Sequence, residues 1–291
     1  MSISKFIDYL SLELQYSPHT VLAYQKDVRD FGAYISPIDL EDANKIDIRA
    51  YLAYLVGQNL EERSINRKLS SIKTYYKFLL YIEQISRLPT EGIKSLRFNK
   101  KVQIPYSSNE IYSLLNGDLF TNDFEGKRDK LILELLYHTG IRRSELISLK
   151  ISSISFDKKE IKVLGKGNKE RIIPVNDKLL YEIKVYLEKA EEEKVDLRGN
   201  LLVTNKGKRL YPELVYSITK SYLSHVTEKN KKSPHMIRHS FATQILHNGA
   251  DLNAVKEILG HSSLASTQEY THNDIQQLKK VFNQAHPRES K

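Results

Sequence analysis

The chain has 291 residues, long enough for two domains, and its 40% apolar and 28% charged content is that of an ordinary globular protein. Lysine and arginine number 45 against 36 acidic residues, a net charge of +9 that favours polyanionic partners, because these side chains displace counterions from phosphates. The lack of cysteine excludes disulfides, thiolate catalysis and cysteine-ligated zinc, and no apolar run reaches the length of about 18 residues that a membrane span needs.

Residues 1–10, MSISKFIDYL, hold no long apolar region, so no secretory leader is expected and a soluble cytosolic protein is. Ser17-Pro18 reads as a cap and first-turn pair, followed by Val21, Tyr24, Val28 and Phe31 at helical spacing. A second helix puts Ile48, Leu52 and Leu55 on one face. A third carries Ile65, Leu69, Ile72, Tyr76 and Leu79, with Arg63, Arg67, Lys68, Lys73 and Lys77 interleaved. Those cations suit either a solvated face or a phosphate-facing one; Arg63, Arg67 and Lys73 are the candidate DNA contacts among them.

The segment LPTEGIKSLRFNKKVQIP, with its prolines, glycine and Lys94, Arg97, Lys100 and Lys101, predicts a basic interdomain linker able to lie along a DNA backbone. Lys101 is its candidate contact. Ser107 or Ser108 caps a helix running through Leu115, and Arg128–Thr139 reads as a buried helix. Over residues 151–175 the period changes to alternation: Ile154, Phe156, Ile161 and Val163, then the turn GKGNK, then RIIPV. This predicts a small antiparallel sheet with a tight turn at Gly165–Lys169. From Lys178 helices return. Basic and acidic residues number 14 and 12 over residues 1–100, and 31 and 24 in the remainder, so both parts are basic.

Four local patterns carry candidate chemistry: TGIRRSEL (Thr139–Leu146), GKGNKER (Gly165–Arg171), HMIRHSFAT (His235–Thr243) and LGHSSLASTQEYTH (Leu259–His272). Each is weak alone. A lysine in a glycine-flanked turn is usually solvated, paired arginines usually surface charge, and with 18 tyrosines any one is structural by default. His235 and His239 are spaced to bind zinc from one helix, but no glutamate follows His235 and no cysteine is present, so His239 reads as a buried or supporting histidine and no metal is expected. GKGNKER lacks the P-loop spacing, so no nucleotide cofactor is expected either. Lys169 and Arg171 suit contact with DNA backbone or plain solvation.

As an ordered set the patterns are specific, and the sequence resembles the tyrosine recombinase/integrase family, most nearly the bacterial Xer recombinases that resolve chromosome dimers. SPHTVLAYQKDVRDF and RSINRKLSSIKTYYKFL resemble their N-terminal helices, NGADLNAVKEILGHSSLASTQEYTH their active-site segment, and His286-Pro287-Arg288 their ending. The resemblance covers nearly the whole chain. It implies Arg142 as the first catalytic arginine with Arg143 in the variable slot, Lys166 as the hairpin lysine, and His235 and Arg238 as the His-x-x-Arg pair. It further implies His261 as the second histidine, Tyr270 as the nucleophile, and Glu145 as support for Arg142.

The chemistry of these residue types agrees. Guanidinium forks on Arg142 and Arg238 match the charge that builds on non-bridging phosphate oxygens. Glu145, three residues after Arg142, is placed to hold it on one helical face. A tyrosine hydroxyl needs a base or strong local positive charge, for which His235 is the candidate, and Lys166 is the candidate acid for the departing 5′-hydroxyl. His261 would donate to the scissile phosphate.

The resemblance implies a mainly α chain: a helical SAM-like core-binding domain over residues 1–90, a linker over 91–105, and a mixed α/β catalytic domain with a small antiparallel sheet over 106–291, together a C-shaped clamp on double-stranded DNA. It implies a homo- or hetero-tetramer on two duplexes, exchange through a Holliday junction and a 3′-phosphotyrosine, no cofactor, no membrane, a cytoplasmic, nucleoid-associated location, and a septal DNA translocase as partner. The amphipathic segment with Ile275, Leu278 and Phe282 either caps its own domain or, as the family does, docks on a neighbouring protomer. Other readings are a transposon or phage integrase of the same family, a catalytically silent DNA-binding protein, and a relaxase of type IB topoisomerase chemistry.

Overall fold

The computed structural model describes residues 2–97, 103–165, 170–260 and 285. It divides into two compact units, residues 1–102 and 103–291.

The first unit is helical. α1 (Ser2–Asp8) runs into a wide turn at Tyr9–Glu13, followed by α2 (Pro18–Ile35), α3 (Lys45–Gly57) and α4 (Glu62–Tyr81). Ser17 caps α2, accepting from the Thr20 amide at 3.3 Å with Pro18 in the first turn. Asn44 and Asp47 form a reciprocal capping box on α3. The apolar stripes meet in one core: Val28, Phe31, Ile48, Ile65, Leu69, Ile72, Tyr76 and Leu79 are all at most 1% exposed. Phe6 packs edge-on against Tyr75, ring centroids 5.1 Å apart. Burying these stripes holds the helices together at about 25 cal/mol per Å² of apolar surface removed from water.

Beneath that core α2 and α4 are joined by charge. Asp27, fully buried, accepts from Arg67, from Lys68 at 3.3 Å and from Ser71 at 2.7 Å, while Lys68 also reaches Asp30 at 2.6 Å.

The second unit contains α5 (Ser108–Asn116), α6 (Phe124–Thr139), α7 (Arg143–Ser148), a three-stranded antiparallel sheet, then α8 (Asp177–Glu192), α9 (Pro212–Val226), α10 (Pro234–His247) and α11 (Leu252–Leu259). The sheet runs β1 (Ile154–Ser155), β2 (Glu160–Leu164) and β3 (Glu170–Pro174) in that order, with Ile161 opposite Ile173 and Val163 opposite Arg171. Ser107 is the cap of α5, with Glu110 closing the box. The α6 helix starts a turn earlier than its sequence suggests, because Asp123 accepts from the Gly126 amide at 2.8 Å.

Gly140 ends α6 in the left-handed region, φ 57°, and a side chain there would collide with Phe241 of α10. That close approach brings the end of α6, and hence the start of α7, against α10. Among the described residues no helix is long and apolar enough to cross a membrane.

Candidate active site

The start of α7 and strand β3 of the second unit each bring an arginine to one buried carboxylate. Arg142 precedes α7 as its cap residue in extended conformation, and Glu145 is the third residue of the helix. The two therefore meet across the helix start, with the Glu145 side chain capping the Arg142 amide, rather than as neighbours on one helical face. The Glu145 carboxylate accepts the Arg142 amide at 2.8 Å and the Arg142 Nη1 at 2.8 Å. From β3, Arg171 adds a fork: Nη1 to Oε1 at 2.9 Å and Nη2 to Oε2 at 2.8 Å. Burial would raise the Glu145 carboxyl, but the bonds from Arg171 and the Arg142 amide outweigh it and hold the group below its ordinary range.

The same arginines also hold the end of α11. The last carbonyls of a helix lack intrahelical partners and carry the negative end of its dipole. Here Arg171 Nε donates to Ile258 O at 2.9 Å, Arg238 Nη2 to Leu259 O at 2.7 Å, and Arg142 Nη2 to Gly260 O at 2.7 Å. Three consecutive carbonyls thus meet three guanidiniums. Arg238 is also anchored by Nη1 to Gly140 O at 2.5 Å.

The electrostatic balance is unequal: two guanidiniums bond one carboxylate, and a third, Arg238, lies near enough to feel its charge. Burial, then the neighbouring charge of Arg142, pull Arg238 down to about 10, against the opposing pull of Glu145, so it stays protonated at neutral pH. Arg142 keeps its side chain 36% exposed. His235, at the start of α10 one turn before Arg238, is exposed beside it in sequence. A cluster with surplus fixed cations, partly open, is suited to an anion with several oxygens.

Residues 107–277 match the Phage integrase family, and residues 3–81 match its N-terminal SAM-like domain. The chain belongs to this family of tyrosine recombinases. It is 35% identical to tyrosine recombinase XerC of Chlorobaculum parvum over 315 residues, covering 98% of this chain and 94% of that one. It is 34% identical to tyrosine recombinase XerD of Staphylococcus saprophyticus, covering 98% of each. Among solved structures, the XerH site-specific recombinase in a post-cleavage complex with a palindromic difH substrate matches with a TM-score of 0.74 at 21% identity, over 97% of this chain and 84% of that one. A lambda integrase dimer bound to a COC′ core site matches at 0.70 and 16%, over 93% and 98%. These last two likenesses support the fold. The family's reaction is DNA cleavage and strand exchange.

Within this recombinase the expected site residues are placed unevenly. Arg142, Glu145 and Arg238 share one cluster, and His235 stands on the helix of Arg238. Lys166, His261 and Tyr270 lie outside the described residues, as do Lys101 and Lys169 of the expected DNA contacts, most of the turn at 165–169 and the terminal segment with Ile275, Leu278 and Phe282. Of that segment Ala285 alone is described: it is buried in the core of the second unit, and Asn248 donates to its carbonyl at 2.9 Å.

The remaining expected DNA contacts are engaged to different degrees. Arg171 is 5% exposed and turned inward onto Glu145, which is the opposite of a backbone-contacting geometry. Arg67 is half-exposed but paired with Asp27, and Lys73 donates to Ile93 O at 2.6 Å. Arg63 is exposed on α4. His239 is half-buried, its Nε2 at 3.3 Å from Gln103 O, consistent with a supporting histidine.

The sequence carries little sign of the role of the carbonyls of Ile258, Leu259 and Gly260 or of the inward turn of Arg171. The first had a faint signal in Gly260, a left-handed helix end at φ 64°. The second had a better one: on a strand Arg171 shares its face with Ile173, which is fully buried.

Proposed function

We propose that this chain is an Xer-type recombinase that binds a specific double-stranded DNA site, cuts one strand at a time through Tyr270, and resolves chromosome dimers. The observation that carries this reading is the surplus of guanidinium charge around Glu145, set against the end of α11 just before His261 in sequence. Matches to XerC and XerD proteins at 34–35% identity over 98% of the chain support the Xer role over that of a mobile-element integrase.

In this mechanism the scissile phosphate takes its place against Arg142 and Arg238, whose fixed positive charge meets the charge developing on the non-bridging oxygens. The Tyr270 oxygen attacks phosphorus while His235 receives the phenolic proton. The bond from phosphorus to the 5′ oxygen breaks, and Lys166 supplies the proton that makes the 5′-hydroxyl. His261 donates to a non-bridging oxygen. The resulting 3′-phosphotyrosine conserves the phosphodiester's energy, so attack by a 5′-hydroxyl of the other duplex rejoins the strand without a nucleotide. Four protomers on two duplexes, acting in pairs, carry the exchange through a Holliday junction. A nucleoid location and a septal DNA translocase as activator go with the Xer role.

The deciding experiment incubates a nicked suicide substrate carrying a candidate chromosome-terminus site with the protein and with Tyr270→Phe, in EDTA. A covalent adduct with the unmodified protein alone is expected. Adduct formation by Tyr270→Phe would remove Tyr270 from its role, and efficient exchange of mobile-element ends but not terminus sites would remove the Xer assignment.

A further inference from the structure

We infer that Arg171 is a positioning residue of the cleavage reaction, holding Arg142 in its phosphate-ready pose through Glu145 and the end of α11, rather than a contact to the DNA backbone. The inference rests on the reading of Arg142 as a ligand of the scissile phosphate.

Burial and strand register come first. Arg171 stands opposite Val163, itself 1% exposed, so its side chain is directed into the unit and cannot lie along a solvent-facing backbone. Three of its five donors are engaged internally, two on the Glu145 oxygens and one on Ile258 O. A buried ion pair does not by itself repay the desolvation of its charges, so the arrangement is better explained by what it holds in place.

It holds both partners of Arg142. Glu145 Oε1 is shared between Arg142 Nη1 and Arg171 Nη1. Because the Arg171 fork covers both carboxylate oxygens, Arg142 is limited to a single side-chain bond there. Without Arg171 the carboxylate is free to take Arg142 as a two-pronged fork, drawing the guanidinium inward and away from a phosphate. The second partner of Arg142 is Gly260 O. Arg171 fixes that residue too, through Ile258 O two positions earlier and by direct packing, since a Cβ on Gly260 would stand 3.2 Å from the Arg171 side chain. Lysine cannot reproduce this: it has one point charge in place of a planar fork and cannot serve both oxygens and the carbonyl together.

The test compares Arg171→Lys and Arg142→Ala on two suicide substrates at saturating DNA, one with an ordinary scissile phosphate and one with a neutral methylphosphonate in its place. With the charge removed from the substrate, the need for Arg142 falls, and so does the need for whatever positions it. On the ordinary phosphate Arg171→Lys is expected to slow cleavage by about 10- to 100-fold, the usual cost of losing a partner that orients a reacting-centre ligand, with site affinity unchanged. On the methylphosphonate most of that loss should vanish, as it should for Arg142→Ala.

If Arg142→Ala is relieved by the methylphosphonate and Arg171→Lys is not, Arg171 does not act through Arg142 and the inference is overturned. If Arg142→Ala is not relieved, the reading of Arg142 fails first and takes the inference with it. Weakened DNA binding with normal cleavage at saturation would return Arg171 to a backbone contact. Should Arg171→Lys fail to fold, Arg171→Gln is held to the same two substrates and the same outcomes.

Discussion

Each unit of this recombinase buries a carboxylate among cations, and the two clusters differ in their balance. In the first unit Asp27 and Asp30 face Arg67 and Lys68, two against two, with Ser71 completing the shell of Asp27. In the second, Glu145 alone faces Arg142 and Arg171, with Arg238 close enough that its charge is felt. The balanced cluster ties α2 to α4. The unbalanced one is left with positive charge that main-chain carbonyls of α11 only partly offset, because carbonyls carry partial charges. A structural ion cluster and a reactive one can be told apart by whether the local charges cancel.

The largest effect should come from the unbalanced side. Arg142→Ala is expected to lower cleavage of the suicide substrate by about 100- to 1000-fold, roughly 3 to 4 kcal/mol of barrier, as for removal of one donor aimed at developing charge. Its unfolding midpoint should barely move, since the side chain is partly exposed and Glu145 keeps Arg171. A large stability loss with normal cleavage would make Arg142 a structural cation like those of the first unit.

The balanced side predicts the reverse. Asp27→Ala leaves Lys68, 9% exposed, with Asp30 alone and Arg67 without its carboxylate. It should lower stability by about 2 to 3 kcal/mol, read as a shift in denaturant midpoint at constant slope. Cleavage at saturating DNA should be unchanged. If cleavage collapses while the midpoint holds, the comparison between the two clusters is wrong.

Much of this was open to reading from residues alone, but unevenly. The α4 stripe, Ile65 to Leu79, announced its buried face because apolar side chains at helical spacing have one place to go. Ser17 and Ser107 announced helix starts, because a hydroxyl satisfies amides that the helix leaves over. The arginines were legible as an ordered motif. What they touch was not: the Arg171 partners lie 26 and 87 residues away, and no local pattern encodes such a pairing. A basic residue after a polar turn looks like surface charge until the strand register shows it facing Val163. Similarly, Arg142 and Glu145 are three apart whether they share a helical face or form a cap, and only the extended backbone at Arg142 separates the two.

A third charge cluster sharpens the comparison by pH. Glu110 holds Lys229 at 2.6 Å and the Ser107 amide at 2.7 Å, and accepts from Thr227. Burial opposes its ionisation, yet the bonds from Lys229, Thr227 and Ser107 prevail and bring it down to about 2. A carboxyl with a lowered folded pKa stabilises the native state fully above its unfolded value and loses that contribution as pH falls toward the folded one. The Glu110 contribution should therefore be intact at neutral pH and fade between about pH 5 and pH 2. Allowing for solvent screening at this partly exposed site, Glu110→Gln should cost about 1 to 2 kcal/mol at pH 7 and progressively less on acidification. The measurement is the difference in unfolding free energy between the two proteins across that range. The decline should come with no change in cleavage at neutral pH, since Glu110 and Lys229 cancel as Asp27 and its partners do. A Glu110→Gln protein that folds normally but cleaves slowly at pH 7 would show that charge balance does not separate structural clusters from reactive ones.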